Sequence, residues 1–133
     1  MTKRMIAHTL VGIFLTGNMA WAAIQQKKVM TKQTDGTYIV NTTTICSTKG
    51  YNGTTPLSVY IKKGKIVKIE ALKNQETPKY FGLVKKSLFP KYINMEASKV
   101  AKAKVDGVTG ATYSSTAVKE NVKAAAKYYK THK

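Results

Sequence analysis

Two runs of alternating residues set the framework of this chain. Leu57, Val59 and Ile61 alternate with Ser58, Tyr60 and Lys62, and a period of two sends each set to one face of an extended strand. Lys63-Gly64 follows as a two-residue hairpin connection. The chain returns through residues 65–72, with Val67, Ile69 and Ala71 expected on one face and Lys68 and Glu70 on the other. Upstream, Asp35-Gly36 marks a turn. Residues 37–48 then carry Thr37, Ile39, Val40, Thr42, Thr43, Thr44 and Ile45, a β-branched strand composition with Asn41 as a possible bend. Lys49-Gly50-Tyr51-Asn52-Gly53 supplies the turn between these segments. Three antiparallel strands in succession make a meander with one apolar face, which other elements must cover.

The second half of the chain supplies the cover. Residues 79–88 predict a short helix with Tyr80, Leu83, Val84 and Leu88 at helical spacing, and Pro90 can open a further turn through Tyr92 and Ile93. Residues 96–104 fit a short helix or an edge strand equally. A last helix is expected over about 115–130, capped by Ser114 or Ser115, with Val118, Val122, Ala125, Ala126 and Tyr129 on one face. The expected fold is α+β: an antiparallel β-sheet meander packed against helices, with a long C-terminal helix. Without an internal repeat or a low-complexity linker, residues 35–133 read as one domain. The lysine-rich stretch 23–34 reads as a flexible lead-in or an irregular first strand.

The N-terminus reads as an address. Lys3 and Arg4 precede a mostly apolar run holding Leu10, Val11, Ile13, Phe14 and Leu15, and Ala20-Trp21-Ala22 gives an A-x-A cleavage site. That is the layout of a secretory signal peptide over residues 1–22, bacterial in style, and it implies a periplasmic or extracellular location. The apolar run is short for a spanning helix and is interrupted by His8, Thr9 and Thr16. An uncleaved membrane anchor is the competing reading. Cleavage removes Lys3 and Arg4 and no acid, which takes the formal charge from +17 to +15. Every remaining basic residue is then Lys. Nucleic-acid readers lean on Arg for bidentate contacts, so no nucleic-acid partner is expected. The lysines serve either attraction to acidic partners and anionic surfaces or plain solubility. His8 and His132 sit at the two ends and Cys46 is the single cysteine, which leaves no metal site and no internal disulfide to expect. Cys46 reads as a small buried hydrophobe in a strand.

One stretch carries chemistry. Asp106-Gly107-Val108-Thr109-Gly110-Ala111-Thr112, followed by Tyr113-Ser114-Ser115, leaves Thr112 on nearly bare backbone at the entrance of the last helix. Amides without an intrahelical partner point out of such an entrance, and the dipole there favours an anion such as a phosphate. A Thr hydroxyl needs an activating base or metal to act as a nucleophile, and Asp106 is the nearest acid, so Thr112 reads as a target of modification by another enzyme. The other reading is an ordinary turn before a helix. Asp-Gly-x-Thr-Gly-Ala-Thr resembles the flavinylation motif of the FMN-binding domain family, found in flavin subunits of Na+-translocating NADH:quinone reductase and Rnf-type complexes. Six fixed positions match by chance in about one window in ten million.

The resemblance extends over about residues 35–130. Asp35-Gly36-Thr37-Tyr38, Gly50-Tyr51-Asn52-Gly53 and Glu76-Thr77-Pro78 are each similar to family stretches, the last lying near the flavin in relatives. Relatives follow Glu-Thr-Pro with glycines; this chain has Lys79, Tyr80 and Phe81 before Gly82. The resemblance implies FMN attached covalently to Thr112 through a phosphoester bond, made by an FAD-dependent flavin transferase. It also implies cofactor contacts from Asp106, Gly107, Thr109, Gly110, Ala111, Ser114, Ser115, Glu76, Thr77 and Tyr51. Plain structural roles compete for several of these: Gly50 and Gly53 in a turn, Tyr51 as a loop aromatic, Glu76 as a cap, Asp106 in a turn.

With no second cofactor motif and no acid–base pair, the chain reads as an exported electron carrier serving membrane or extracytoplasmic redox proteins, and not as a stand-alone enzyme. The alternative is a non-redox secreted binding module with loose or no flavin. The leader reading gives a direct expectation: N-terminal sequencing of the exported protein finds a chain beginning at or near Ala23. A membrane-held chain that still begins at Met1 contradicts it.

Overall fold

The computed structural model describes residues 28–133; the expected leader at 1–22 and the following residues through 27 lie outside that range. Four strands form one sheet: β1 (Met30–Lys32), β2 (Tyr38–Asn41), β3 (Leu57–Lys62) and β4 (Lys65–Ala71). They pair antiparallel in the order β1-β2-β3-β4, so the sheet is a meander in which β1, from the stretch read as a flexible lead-in or an irregular first strand, joins the three strands expected. Three helices follow: α1 (Pro78–Tyr92), α2 (Ala97–Val100) and α3 (Thr112–His132). The fold is α+β, with the long helix at the C-terminus. Among the described residues no helix is long and apolar enough to cross a membrane.

The alternation in β3 holds: Leu57, Val59 and Ile61 are fully buried. The return strand departs from it. Ile61 pairs with Ile66 and Tyr60 pairs with Lys68, so Val67 is an extra residue bulged out of the ladder. Ile66 and Ile69 therefore face the core three residues apart, and Val67, expected inside, is exposed. The hairpin itself is as tight as its two residues suggest, with positive φ at both Lys63 and Gly64. Upstream, the β-branched run 37–48 forms a strand only as far as Asn41. The Asn41 side-chain oxygen accepts hydrogen bonds from the Thr43 amide and hydroxyl, and this local bond turns the chain out of the sheet. Cys46 consequently lies half-buried in a loop and not in a strand.

α1 continues through Pro90 as a single helix, where a break was expected. Only two residues follow the proline before the helix ends, so the ring removes a bond near a terminus, where the cost is lower than in mid-helix. Its buried face is Phe81, Val84, Leu88 and Tyr92; Tyr80 and Leu83, expected inside, are exposed. The ambiguous segment 96–104 combines both alternatives. It forms the short helix α2, and Glu96 makes an isolated bridge to Lys65 at the sheet edge. The Ala97 amide also donates to the Gly64 carbonyl at 2.8 Å.

α3 lies on the apolar face of the sheet through Val118, Val122, Ala125, Ala126 and Tyr129, all buried. Each such large aliphatic contributes about 1.5–3 kcal/mol relative to exposure. A polar pin fixes the register of helix on sheet. The Thr42 hydroxyl donates to Asn121 Oδ1 and accepts from the Leu57 amide at 2.9 Å. Asn121 Nδ2 donates to the Ala117 carbonyl one turn back, at 2.7 Å. Thr42 is fully buried and Asn121 nearly so, so neither can turn to water for a partner. Replacing Thr42 with Val leaves the Leu57 amide and the Asn121 oxygen unpaired, at about 1–3 kcal/mol each. Urea denaturation should show T42V losing stability on that scale while Thr42→Ser stays near the parent. Equal midpoints for T42V and the parent would show that the pin contributes nothing.

Candidate functional site

The motif loop is built by backbone bonds and two glycines. The Ala111 amide donates to the Val108 carbonyl at 3.0 Å, closing a turn whose third residue, Gly110, takes φ +83°. That conformation strains any residue with a Cβ. Gly107 is a matter of close approach: a Cβ there would sit 3.0 Å from the Ser115 Cβ, so Ser115 would have to give way slightly. The Ser115 hydroxyl uses the close approach to accept from the Val108 amide at 2.9 Å. Two lysines steady the irregular segment that enters the loop, Lys119 on the Val105 carbonyl at 3.2 Å and Lys91 on that of Asp106 at 3.5 Å.

α3 starts earlier than the serines suggested. Its first residue is Thr112, its N-cap is Ala111, and no side chain caps it. Ser114 and Ser115 are buried inside the first turn, where both hydroxyls are committed to tertiary bonds and not to capping. The amides of the first turn have no intrahelical acceptor, and no acid stands in that turn to oppose them. An anion beside Thr112 therefore meets open donors and the positive end of the helix dipole.

Glu76 ties this helix entrance to two other segments. Its carboxylate is buried and accepts from the Tyr51 amide at 2.9 Å, the Asn52 amide at 2.6 Å and the Ser114 hydroxyl at 2.6 Å. The first two belong to the loop before β3, and the third belongs to α3. Gly50 makes room for it, since a Cβ at that position would fall 2.0 Å from Glu76 Oε1. The glycine is thus a matter of close approach as well as of the turn. Thr77 follows, and its hydroxyl accepts from Asn52 Nδ2 at 3.4 Å.

Around this clasp lies a cavity of about 430 Å³, within the roughly 300–1,000 Å³ of small-molecule sites. Of the residues expected at the site, Tyr51, Thr77, Gly110, Ala111, Thr112 and Ser114 line it. Glu76 and Ser115 stand behind the wall as braces. Asp106, Gly107 and Thr109 are exposed on the loop away from the lining. Three further lining residues come from outside that set: Tyr80, Phe81 and Tyr113. Tyr80 was assigned to the apolar face of α1. The available signal was the crowding of Tyr80, Phe81, Leu83 and Val84 in five positions, more than one helix face can bury. Tyr113 adjoins the motif and could have been read with it. No group of three or more His, Cys, Asp or Glu able to hold a metal ion occurs among the described residues.

Comparison with known proteins points the same way. The family model of the FMN-binding domain matches residues 50–127, more than half of the chain's 133 residues, and takes in the end of the loop before β3 from Gly50, Glu76 and the whole motif. No curated protein and no solved structure matches the chain. The chain belongs to the FMN-binding domain family and is a flavin-binding protein.

Proposed function

We propose that the protein is an exported electron carrier whose FMN is attached covalently to Thr112 by a phosphoester bond. The observation that carries this reading is the position of Thr112: exposed, first in α3, and on the wall of the cavity. The residues present fit the group. Gly110 and Ala111 put almost no side chain beside the Thr112 hydroxyl, the uncapped helix entrance suits a phosphate, and the cavity beyond is lined with aromatic rings. The fit is to one negative charge at the helix end, worth about 0.3–1 kcal/mol there.

Thr112 is the substrate of the attachment. Its hydroxyl oxygen bonds to the FMN-side phosphorus of FAD, the bond between the two phosphates breaks, AMP leaves, and the hydroxyl proton passes to the flavin transferase. Because Thr112 lies on an exposed loop-to-helix junction, another enzyme can reach it without unfolding the core. The attached flavin supplies uptake and release of electrons. The chain supplies position. Glu76 holds the Tyr51-Asn52 backbone and Ser114 against each other, and the Thr42–Asn121 pin holds α3 on the sheet.

The surface fits a carrier that meets acidic redox partners, at a membrane or outside the cytoplasm. Acids are few against the 23 basic residues, and the exposed ion pairs, such as Lys62 with Asp35 and Lys99 with Glu96, leave most lysines unneutralised. If those lysines steer encounter, the electron-transfer rate falls steeply as ionic strength rises. A rate unchanged from low to high salt assigns the lysines to solubility.

Attachment is tested by intact mass of protein made with and without the transferase. Thr112→Ala should lose the flavin and keep its circular dichroism, with stability within about 1 kcal/mol of the parent, because the side chain is exposed. Thr109→Ser should keep the flavin. FMN that survives denaturation on T112A protein moves the attachment elsewhere, and a colourless parent from cells containing the transferase favours a non-redox binding module.

A further inference from the structure

The described residues include five large hydrophobic side chains that are substantially exposed, and three of them are tyrosines around one cavity. Tyr51 is 76 % exposed, Tyr113 68 % and Tyr80 53 %. They come from three separate segments: the loop before β3, the first turn of α3 and the first turn of α1. None is spent on packing the fold, whose aromatic pairs are Tyr38 with Tyr129 and Tyr128 with His132.

Two of the three segments that carry these rings are nonetheless tied together by one group. Glu76 Oε1 takes the Tyr51 amide itself and the hydroxyl of Ser114, the residue after Tyr113. Tyr80 stands four positions beyond Glu76, just inside the helix that Glu76-Thr77 leads into. One buried carboxylate thus ties the Tyr51 loop to the helix turn that carries Tyr113, and the helix that follows it carries Tyr80 to the mouth of the same cavity. The rings have fixed origins and open faces. One ring surface is partly taken: the Lys79 ammonium lies 5.9 Å over the Tyr80 ring.

We propose that Tyr51, Tyr80 and Tyr113 form an aromatic rim that holds the flat ring system of the flavin by stacking, with Tyr113 next in the chain to the attachment point. Electron-rich phenols suit an electron-poor planar heterocycle, and offset contact covers apolar surface that the free protein leaves in water. This rests on FMN being the ligand of the cavity, but not on the bond to Thr112. The rim has an optical consequence. When the flavin is excited by light, a touching phenol lends it one electron, which returns in the dark. Nothing is consumed, and the fluorescence is quenched.

The test is the fluorescence lifetime of the flavin in the folded full-length protein, with FMN attached by the transferase or, on protein without attachment, with FMN added from solution. Intact mass on the same samples reports the Thr112 bond separately. Wild-type protein should show a lifetime several-fold shorter than free FMN. Tyr80→Leu and Tyr113→Leu should each lengthen it, and the triple variant with Tyr51→Leu should reach the free value with unchanged far-ultraviolet circular dichroism. Tyr80→Phe should also lengthen the lifetime while keeping the visible circular dichroism of a held ring. A wild-type lifetime equal to that of free FMN, whether attached or added, overturns the rim, as does quenching that survives the triple variant. The wild-type measurement decides even if a variant fails to fold.

Discussion

A buried carboxylate must be given hydrogen-bond donors, and at Glu76 that requirement organises the functional end of the molecule. Two backbone amides and one hydroxyl satisfy it, and they belong to different segments of the chain. Withdrawing any of them leaves a buried acceptor short of a partner, at about 1–3 kcal/mol. The loop before β3, the lead into α1 and the entrance of α3 are therefore not free to move apart. Gly50 follows from the same constraint, because its missing side chain is what lets the carboxylate come close enough. The binding cavity exists where it does because these three segments converge there.

α3 connects that end to the core. Its first turn lines the cavity, and its middle is buried on the sheet through Val118, Val122 and Ala125. The Thr42–Asn121 pin sets how far along the sheet it lies. Apolar contacts alone tolerate small slides of a helix over a sheet, whereas a buried polar pair does not, since a slide would unpair it. The position of Thr112 is thus inherited from a contact nine residues along the helix, about 13 Å away at 1.5 Å per residue. A flexible side chain is not what places the Thr112 hydroxyl at the cavity wall; a rigid helix does.

What was legible in the sequence, and what was not, divides along physical lines. The period of two in β3 could be read directly because one face is dry and the other wet along its whole length. In β4 the same rule failed at Val67, because a bulge adds a residue without any mark in composition. The helix over 79–88 was legible, but its inward face was not. Tyr80 and Phe81 are both aromatic, and only the tertiary arrangement buries Phe81 as the floor of the cavity and leaves Tyr80 exposed at its mouth. Ser114 and Ser115 looked like caps because local bonding is the commoner use of serine there. Their hydroxyls instead serve Glu76, 38 residues from Ser114, and the Val108 amide across the motif turn, seven residues from Ser115, and neither is a capping bond. Thr112, by contrast, stood out through its bare neighbours, Gly110 and Ala111, which is a local property.

The shape of the cavity bears on why a covalent bond would be of use here. Its lining is mostly exposed residues, with Phe81 and Ser114 as the buried floor. Small-molecule sites that hold a ligand tightly cover some 70–90 % of its surface. If the proposed rim of three exposed tyrosines holds the flavin, it binds a flat ring when flavin is plentiful but does not keep it against dilution. A bond at Thr112 removes the need for retention, because the ring then stays at high effective concentration beside the rim however weakly it is held. The site can remain open, and an open site leaves the edge of the ring within reach of a partner protein. On the proposed reading, weak contact and a strong tether are complementary: each would make the other sufficient for a carrier of electrons.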